Sequence, residues 1–105
     1  MPFIPVLDPG LYAHVISRPQ PTIVHFWDSE ASPPTPEFQI LESGNYPGSE
    51  LEAFFVDLSR IPVPNAPSKV PVTILFSQNT QLDTADTGDM DKFVQLLQQA
   101  AEQGL

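Results

Sequence analysis

The chain has no cysteine. That absence excludes disulfides, thiolate metal ligands and thiol nucleophiles together. It also removes any reading of the redox compartment. Bases are the next shortage: four Lys and Arg stand against thirteen Asp and Glu, for a net charge of −9. Phosphate recognition needs clustered cations, and Arg18, Arg60, Lys69 and Lys92 are far apart in sequence, so no nucleic-acid partner is expected. The same charge argues against an anionic membrane surface. The acids are scattered rather than run together, which argues against a disordered acidic tail. No apolar run approaches the ~20 residues of a helical membrane span. The first residues lack a basic region and are interrupted by Pro2, Pro5 and Pro9. No signal peptide is expected there, and a cytoplasmic location is the expectation. Repeats and low-complexity tracts are absent too.

What is present suits a single domain over residues 1–105. Hydrophobic residues make up 41% of the chain and ten aromatics are among them, enough for one modest core. The thirteen prolines act as punctuation at the ends of elements.

The organising stretch is Thr22-Ile-Val-His-Phe-Trp27. It is β-branched, aromatic and nearly continuous in apolarity, the pattern of a strand buried on both faces. Ahead of it, Phe3–Leu7 reads as an edge strand because Pro5 cannot donate to a ladder. Asp8-Pro9 starts a helix with an acceptor and an N1 proline, its inner face formed by Leu11, Val15 and Ile16 with Tyr12 beside them. After Trp27, Ser29–Pro34 is a loop. Thr35-Pro36-Glu37 is a second cap, N1 proline and first-turn acid. Phe38 and Leu41 face inward, and Ser43-Gly44 ends that helix. Asn45–Ser49 is turn chemistry. Leu51–Leu58 reads as another interior strand. Pro62, Pro64 and Pro67 then forbid a regular helix. Val70–Phe76 is a strand, Ser77–Thr80 a hairpin turn, and Gln81–Thr84 a polar edge strand. Gly88-Asp89 opens a last amphipathic helix with Met90, Phe93, Val94, Leu97 and Ala101 on one side. The order is β-α-β-α-β-loop-β-β-α.

That order, with Ile23-Val-His-Phe-Trp27, Val70-Pro-Val-Thr-Ile-Leu-Phe76 and Gly88 before the terminal helix, resembles the thioredoxin-like superfamily. The resemblance implies an α/β chain of thioredoxin-like fold: a central mixed β-sheet flanked by helices, here with the helix between the third and fourth strands degenerate or missing. It implies a redox-inactive member. The dithiol tetrapeptide falls on Ala31-Ser32-Pro33-Pro34, so no thiol–disulfide exchange is available, and the buried acid of thioredoxins falls on His25. It also implies that Pro71 is cis and that an extended peptide pairs beside it.

The expected function is therefore binding: an adaptor, chaperone-like or regulatory subunit with a protein or extended-peptide partner. The groove would be formed by Trp27, Ala31, Ser32, Pro33, Pro34, Val70 and Pro71, with the Pro-rich segment nearby. Core packing is the competing role for Trp27, and strand entry for Pro71. His25 is either a satisfied core histidine or a buried titrating switch with Asp57 as partner. A different class is glutathione or small-thiol binding. Asn65–Pro71 looks like the γ-glutamyl-gripping segment of glutathione transferases, and Ser32 would donate at a helix N-terminus. A third class is a structural subunit of a larger assembly. No catalytic residue, cofactor or metal site is assigned. His14 and His25 do not converge in this topology, and no nucleophile elbow or oxyanion loop accompanies them.

Overall fold

The structure is a computed structural model and describes residues 3–46, 49, 52–64 and 66–104. Two helices start as the chain's punctuation dictates. The Asp8 carboxylate accepts the Leu11 N–H at 2.9 Å ahead of α1 (Pro9–Ile16). The Thr35 hydroxyl accepts the Phe38 N–H at 3.1 Å ahead of α2 (Pro36–Ser43). Proline occupies the first turn of both, where a missing N–H costs nothing. α2 stops at Gly44, whose φ of 71° is the left-handed C-cap that glycine adopts freely.

Five strands complete the chain: β1 (Phe3–Pro5), β2 (Thr22–Trp27), β3 (Ala53–Asp57), β4 (Val72–Ser77) and β5 (Thr80–Asp86), followed by α3 (Met90–Gly104). They form one sheet in the order β1-β3-β2-β4-β5. β1, β3 and β2 run parallel, and β4 and β5 are antiparallel to their neighbours. Every residue of β2 is buried, as its continuous apolarity requires.

The core lies in two layers. On one face Tyr12 and Val15 of α1 pack over Val24, Phe26, Phe54, Val56, Ile74 and Phe76. On the other, Leu41 of α2 and Phe93, Leu96, Leu97 and Ala100 of α3 meet Ile23 and Leu75. Successive strand residues point to opposite faces, so β2 feeds both layers.

Among the described residues, no helix lies between β3 and β4. The Pro-rich segment covers part of that face instead, with Ile61, Val63 and Val70 packed against the α1-side cluster. On β5, Thr84 and Asp86 lie opposite Ile74 and Val72, so they share that face, and both are exposed. A polar surface there fits the missing cover. Strand limits differ slightly from expectation. β4 begins at Val72 rather than Val70, and β5 runs from Thr80 to Asp86 rather than Gln81 to Thr84. β3 begins at Ala53 and ends at Asp57. Leu51, expected to open it, lies outside the described residues, as do Asn65 of the Pro-rich segment and part of the Asn45–Ser49 turn. No helix among the described residues is long and apolar enough to cross a membrane.

Gln78 and Asn79 turn the β4–β5 hairpin with φ of 52° and 62°. Positive φ at both central positions is the requirement of a type I′ turn, which favours Asn-Gly. Their N–H groups donate to Arg18 and Ile16 carbonyls at 2.9 and 2.7 Å and tie the hairpin to the end of α1. These contacts use backbone alone. Replacing the pair by Asn-Gly (Gln78→Asn with Asn79→Gly) is therefore expected to stabilise the fold by about 1 kcal/mol. The check is a urea midpoint that rises with an unchanged slope.

Candidate functional site

The functional expectation centred on one end of the sheet, where β2 and β3 finish and β4 begins. Pairing of Phe26 with Val72 brings Pro71 beside Trp27, and Trp27 itself pairs with Asp57. The Val70–Pro71 peptide is cis. The Asp28 carbonyl accepts the Ala31 and Ser32 N–H groups, both at 3.1 Å, and curls the loop back. Trp27 Nε1 then donates to the Ser32 carbonyl at 3.3 Å. Trp27 thus ties the loop to the strand. Ala31, Pro33 and Pro34 are exposed, while Ser32 and Val70 are half-buried.

Three details depart from the simplest picture of a groove. Trp27 is 8% exposed and packs on Phe38 and Phe55, with ring centroids 5.0 and 6.2 Å away. It is a buried wall rather than a protruding anchor. Ser32 sits ahead of the α2 cap, since Thr35 takes that role, and so does not stand at the helix N-terminus that thiol binding would use. Pro33 and Pro34, lacking N–H groups, cannot extend the helix back to it. The Pro71 carbonyl accepts the Thr87 N–H at 3.4 Å, whereas Val70 makes no backbone hydrogen bond among the described residues.

His25 is fully buried, directly opposite Thr73 in the ladder. Its Nδ1 lies 2.9 Å from the Thr73 hydroxyl and its Nε2 3.3 Å from that of Thr35. Thr35 Oγ1 already accepts the Phe38 N–H. In the neutral ring one nitrogen donates and the other accepts, so each has a threonine hydroxyl as its partner. Burial lowers the imidazole from its ordinary range to about 4, against a smaller opposing pull from Glu37. His25 is neutral at pH 7.

Asp57 is not its partner. Oδ1 accepts from Ser29 N–H and Ser59 N–H, both at 3.1 Å, and from the Ser59 hydroxyl at 2.7 Å. Oδ2 faces Arg60 Nε at 3.3 Å. Burial by itself would raise this carboxyl, but the Ser29 and Ser59 hydrogen bonds outweigh it and bring it down to about 2. The structure keeps the two residues apart for a simple reason. His25 is level with Phe55, Asp57 is level with Trp27, and Asp57 turns into the two loops that follow the strands.

Several contributors were not legible in the sequence. Thr73 becomes relevant only once β2 and β4 pair. Thr35 reads as a cap and nothing more. Glu37 reads as an ordinary first-turn acid, yet it is 2% exposed. Its Oε2 accepts the Gly88 N–H at 2.9 Å, and among the described residues its Oε1 has no partner.

No family model matches the chain, and no curated protein sequence matches it. Solved structures do. A thioredoxin of Malassezia sympodialis superposes with a TM-score of 0.80 at 14% identity, covering 95% of this chain and 91% of that one. A thioredoxin of Plasmodium falciparum gives 0.74 at 16% identity, with 91% and 97% covered. Thioredoxin f2 of Chlamydomonas reinhardtii gives 0.67 at 16% identity, with 93% and 95% covered. The fold is thioredoxin-like. Likeness at these identities carries the architecture alone. Within this thioredoxin-like fold no position holds a cysteine, so thiol–disulfide oxidoreductase chemistry is impossible, and the chain is a non-catalytic variant in that sense.

The buried imidazole has a measurable consequence. Its folded pKa of about 4 lies below the unfolded value, so the unfolded chain binds the extra proton first as pH falls. Its contribution is complete above roughly pH 6.5 and is lost on the way down to about 4, at up to ~1.4 kcal/mol per unit. Stability of the intact protein is expected to fall by about 3 kcal/mol over that window. In His25→Gln most of that slope should vanish. Denaturant midpoints from pH 7.5 to 4.5 check this, and an unchanged slope in the variant would assign the acid lability elsewhere.

Proposed function

We propose that this chain is a single thioredoxin-like module that binds a protein partner through an extended peptide segment. The groove is bounded by Trp27, the Ala31–Pro34 loop, Val70 and Pro71. One observation carries the reading: Val70, directly ahead of the Pro71 that the strand register sets beside Trp27, has no backbone partner among the described residues. An N–H and a C=O left without a partner beside a strand end are what an added peptide strand uses. Removal of the cysteines leaves that surface in place and takes away only the chemistry. The adaptor, chaperone-like or regulatory role follows from such binding. Ser32's position ahead of the cap gives no support to the small-thiol alternative.

Site-specific photocrosslinking tests this. A photoreactive residue at position 31 or 33 is expected to join a partner in an extract of the source cells. The same residue at Gln98, exposed on α3, should not. Val70→Pro, which removes the N–H while circular dichroism confirms folding, should reduce the yield by about tenfold or more. Crosslinking at Gln98 but not at 31 or 33 would move the contact to α3 and end the groove reading.

A further inference from the structure

Trp27 also walls a cavity of about 300 Å³ at the ends of β1, β2 and β3. Pro5, Val6, Leu7, Phe55 and Ile61 complete its apolar lining, and Asp57 and Arg60 supply the charges. Leu7 stands 70% exposed at this place.

The two oxygens of Asp57 differ. Oδ1 is taken by three donors from Ser29 and Ser59, which fix the carboxylate. Oδ2 faces Arg60 Nε at 3.3 Å, and the Arg60 side chain is 77% exposed. An ion pair to so exposed a partner holds weakly and is exchangeable. Apolar walls around one fixed carboxylate suit a side chain with a long apolar stem and a cationic head. The tryptophan adds an aromatic wall that attracts such a cation.

We propose that this pocket receives an arginine or lysine side chain of the bound peptide, its stem against Trp27, Phe55 and Ile61 and its charge on Asp57 Oδ2 in place of Arg60. The surrounding field agrees with a cationic occupant. The four bases of the chain each face an acid, Glu52, Asp57, Asp86 or Asp83. Asp8, Asp28 and Glu30 stand on the segments next to the lining, and the net charge is −9. A basic segment is drawn to such a surface. The inference deepens the groove reading and rests on it for the peptide backbone, because Trp27 belongs to both.

The test uses the full chain and three blocked probes: an alanine pentapeptide with central arginine, the same peptide with citrulline, and N-acetyl-arginine amide. The chain has one tryptophan, so Trp27 emission reports binding beside the pocket, and calorimetry confirms it. The arginine peptide should bind, and citrulline should weaken it about tenfold or more. Arg60→Ala, at an exposed position, should tighten the arginine peptide up to about fivefold by removing the competing cation. Added salt should weaken it. Asp57→Asn should abolish the preference for arginine over citrulline. If that variant fails to fold, Arg60→Ala with the citrulline comparison decides. Equal binding of both peptides, weaker binding to Arg60→Ala, or no binding of the arginine peptide to Arg60→Ala at millimolar concentration overturns the pocket. Equal binding that is lost in Val70→Pro leaves the groove standing without it. Binding of N-acetyl-arginine amide as tight as the pentapeptide, and indifferent to Val70→Pro, keeps the pocket and removes the groove.

Discussion

The rest of the structure depends on β2 being satisfied on every side. Its backbone is paired with parallel β3 on one edge and antiparallel β4 on the other. Its side chains alternate between the α1 layer and the α2–α3 layer. A strand with no solvent-facing edge or face has one register, since a slip by one residue would exchange the two layers. That register puts His25 against Thr73 and sets Trp27 beside Pro71 and Asp57. The geometry of that end of the sheet is a consequence of the core.

The second constraint is polar. A buried imidazole is tolerable only when both ring nitrogens are bonded. Here two threonine hydroxyls do this, one from β4 and one from the cap of α2. The cap hydroxyl therefore works twice, holding the helix start and the ring beneath it. Asp57 plays a similar part at the loops, joining the turn after β2 to the turn after β3 through Ser29 and Ser59. These two small networks shape the end of the sheet where β2 and β3 finish. Trp27 lies between them, with its indole N–H on the Ser32 carbonyl.

With no helix between β3 and β4 among the described residues, cover is redistributed rather than removed. The Pro-rich segment lays Ile61, Val63 and Val70 on the α1-side core. Where that cover ends, β5 turns Thr84 and Asp86 outward. The same segment brings Ile61 to the wall of the cavity beside Asp57. An altered connection thus supplies a surface that a helix starting there would shape differently.

The element order was legible because its signals are local. Asp8-Pro9 and Thr35-Pro36 cap helices through bonds to residues three positions on, and Gly44 ends one through its own backbone. β2 announces its burial by unbroken apolarity, and the zero count of cysteine excludes thiol chemistry in any fold. The exact strand limits were less legible, since pairing partners rather than propensity ended β3 at Asp57 and began β4 at Val72. What only the tertiary structure decided are the meetings between distant residues. Sequence left two readings of His25, a satisfied core histidine or a switch with Asp57 as partner, and the ladder set it against Thr73. It offered Glu37 as the first-turn acid of a helix, and the tertiary structure buries it with Oε2 on the Gly88 N–H. It held no sign that Leu7, Trp27 and Ile61 line one cavity with Asp57. Caps, turns and burial patterns are written within a few residues, whereas partners and pockets depend on register between strands remote along the chain.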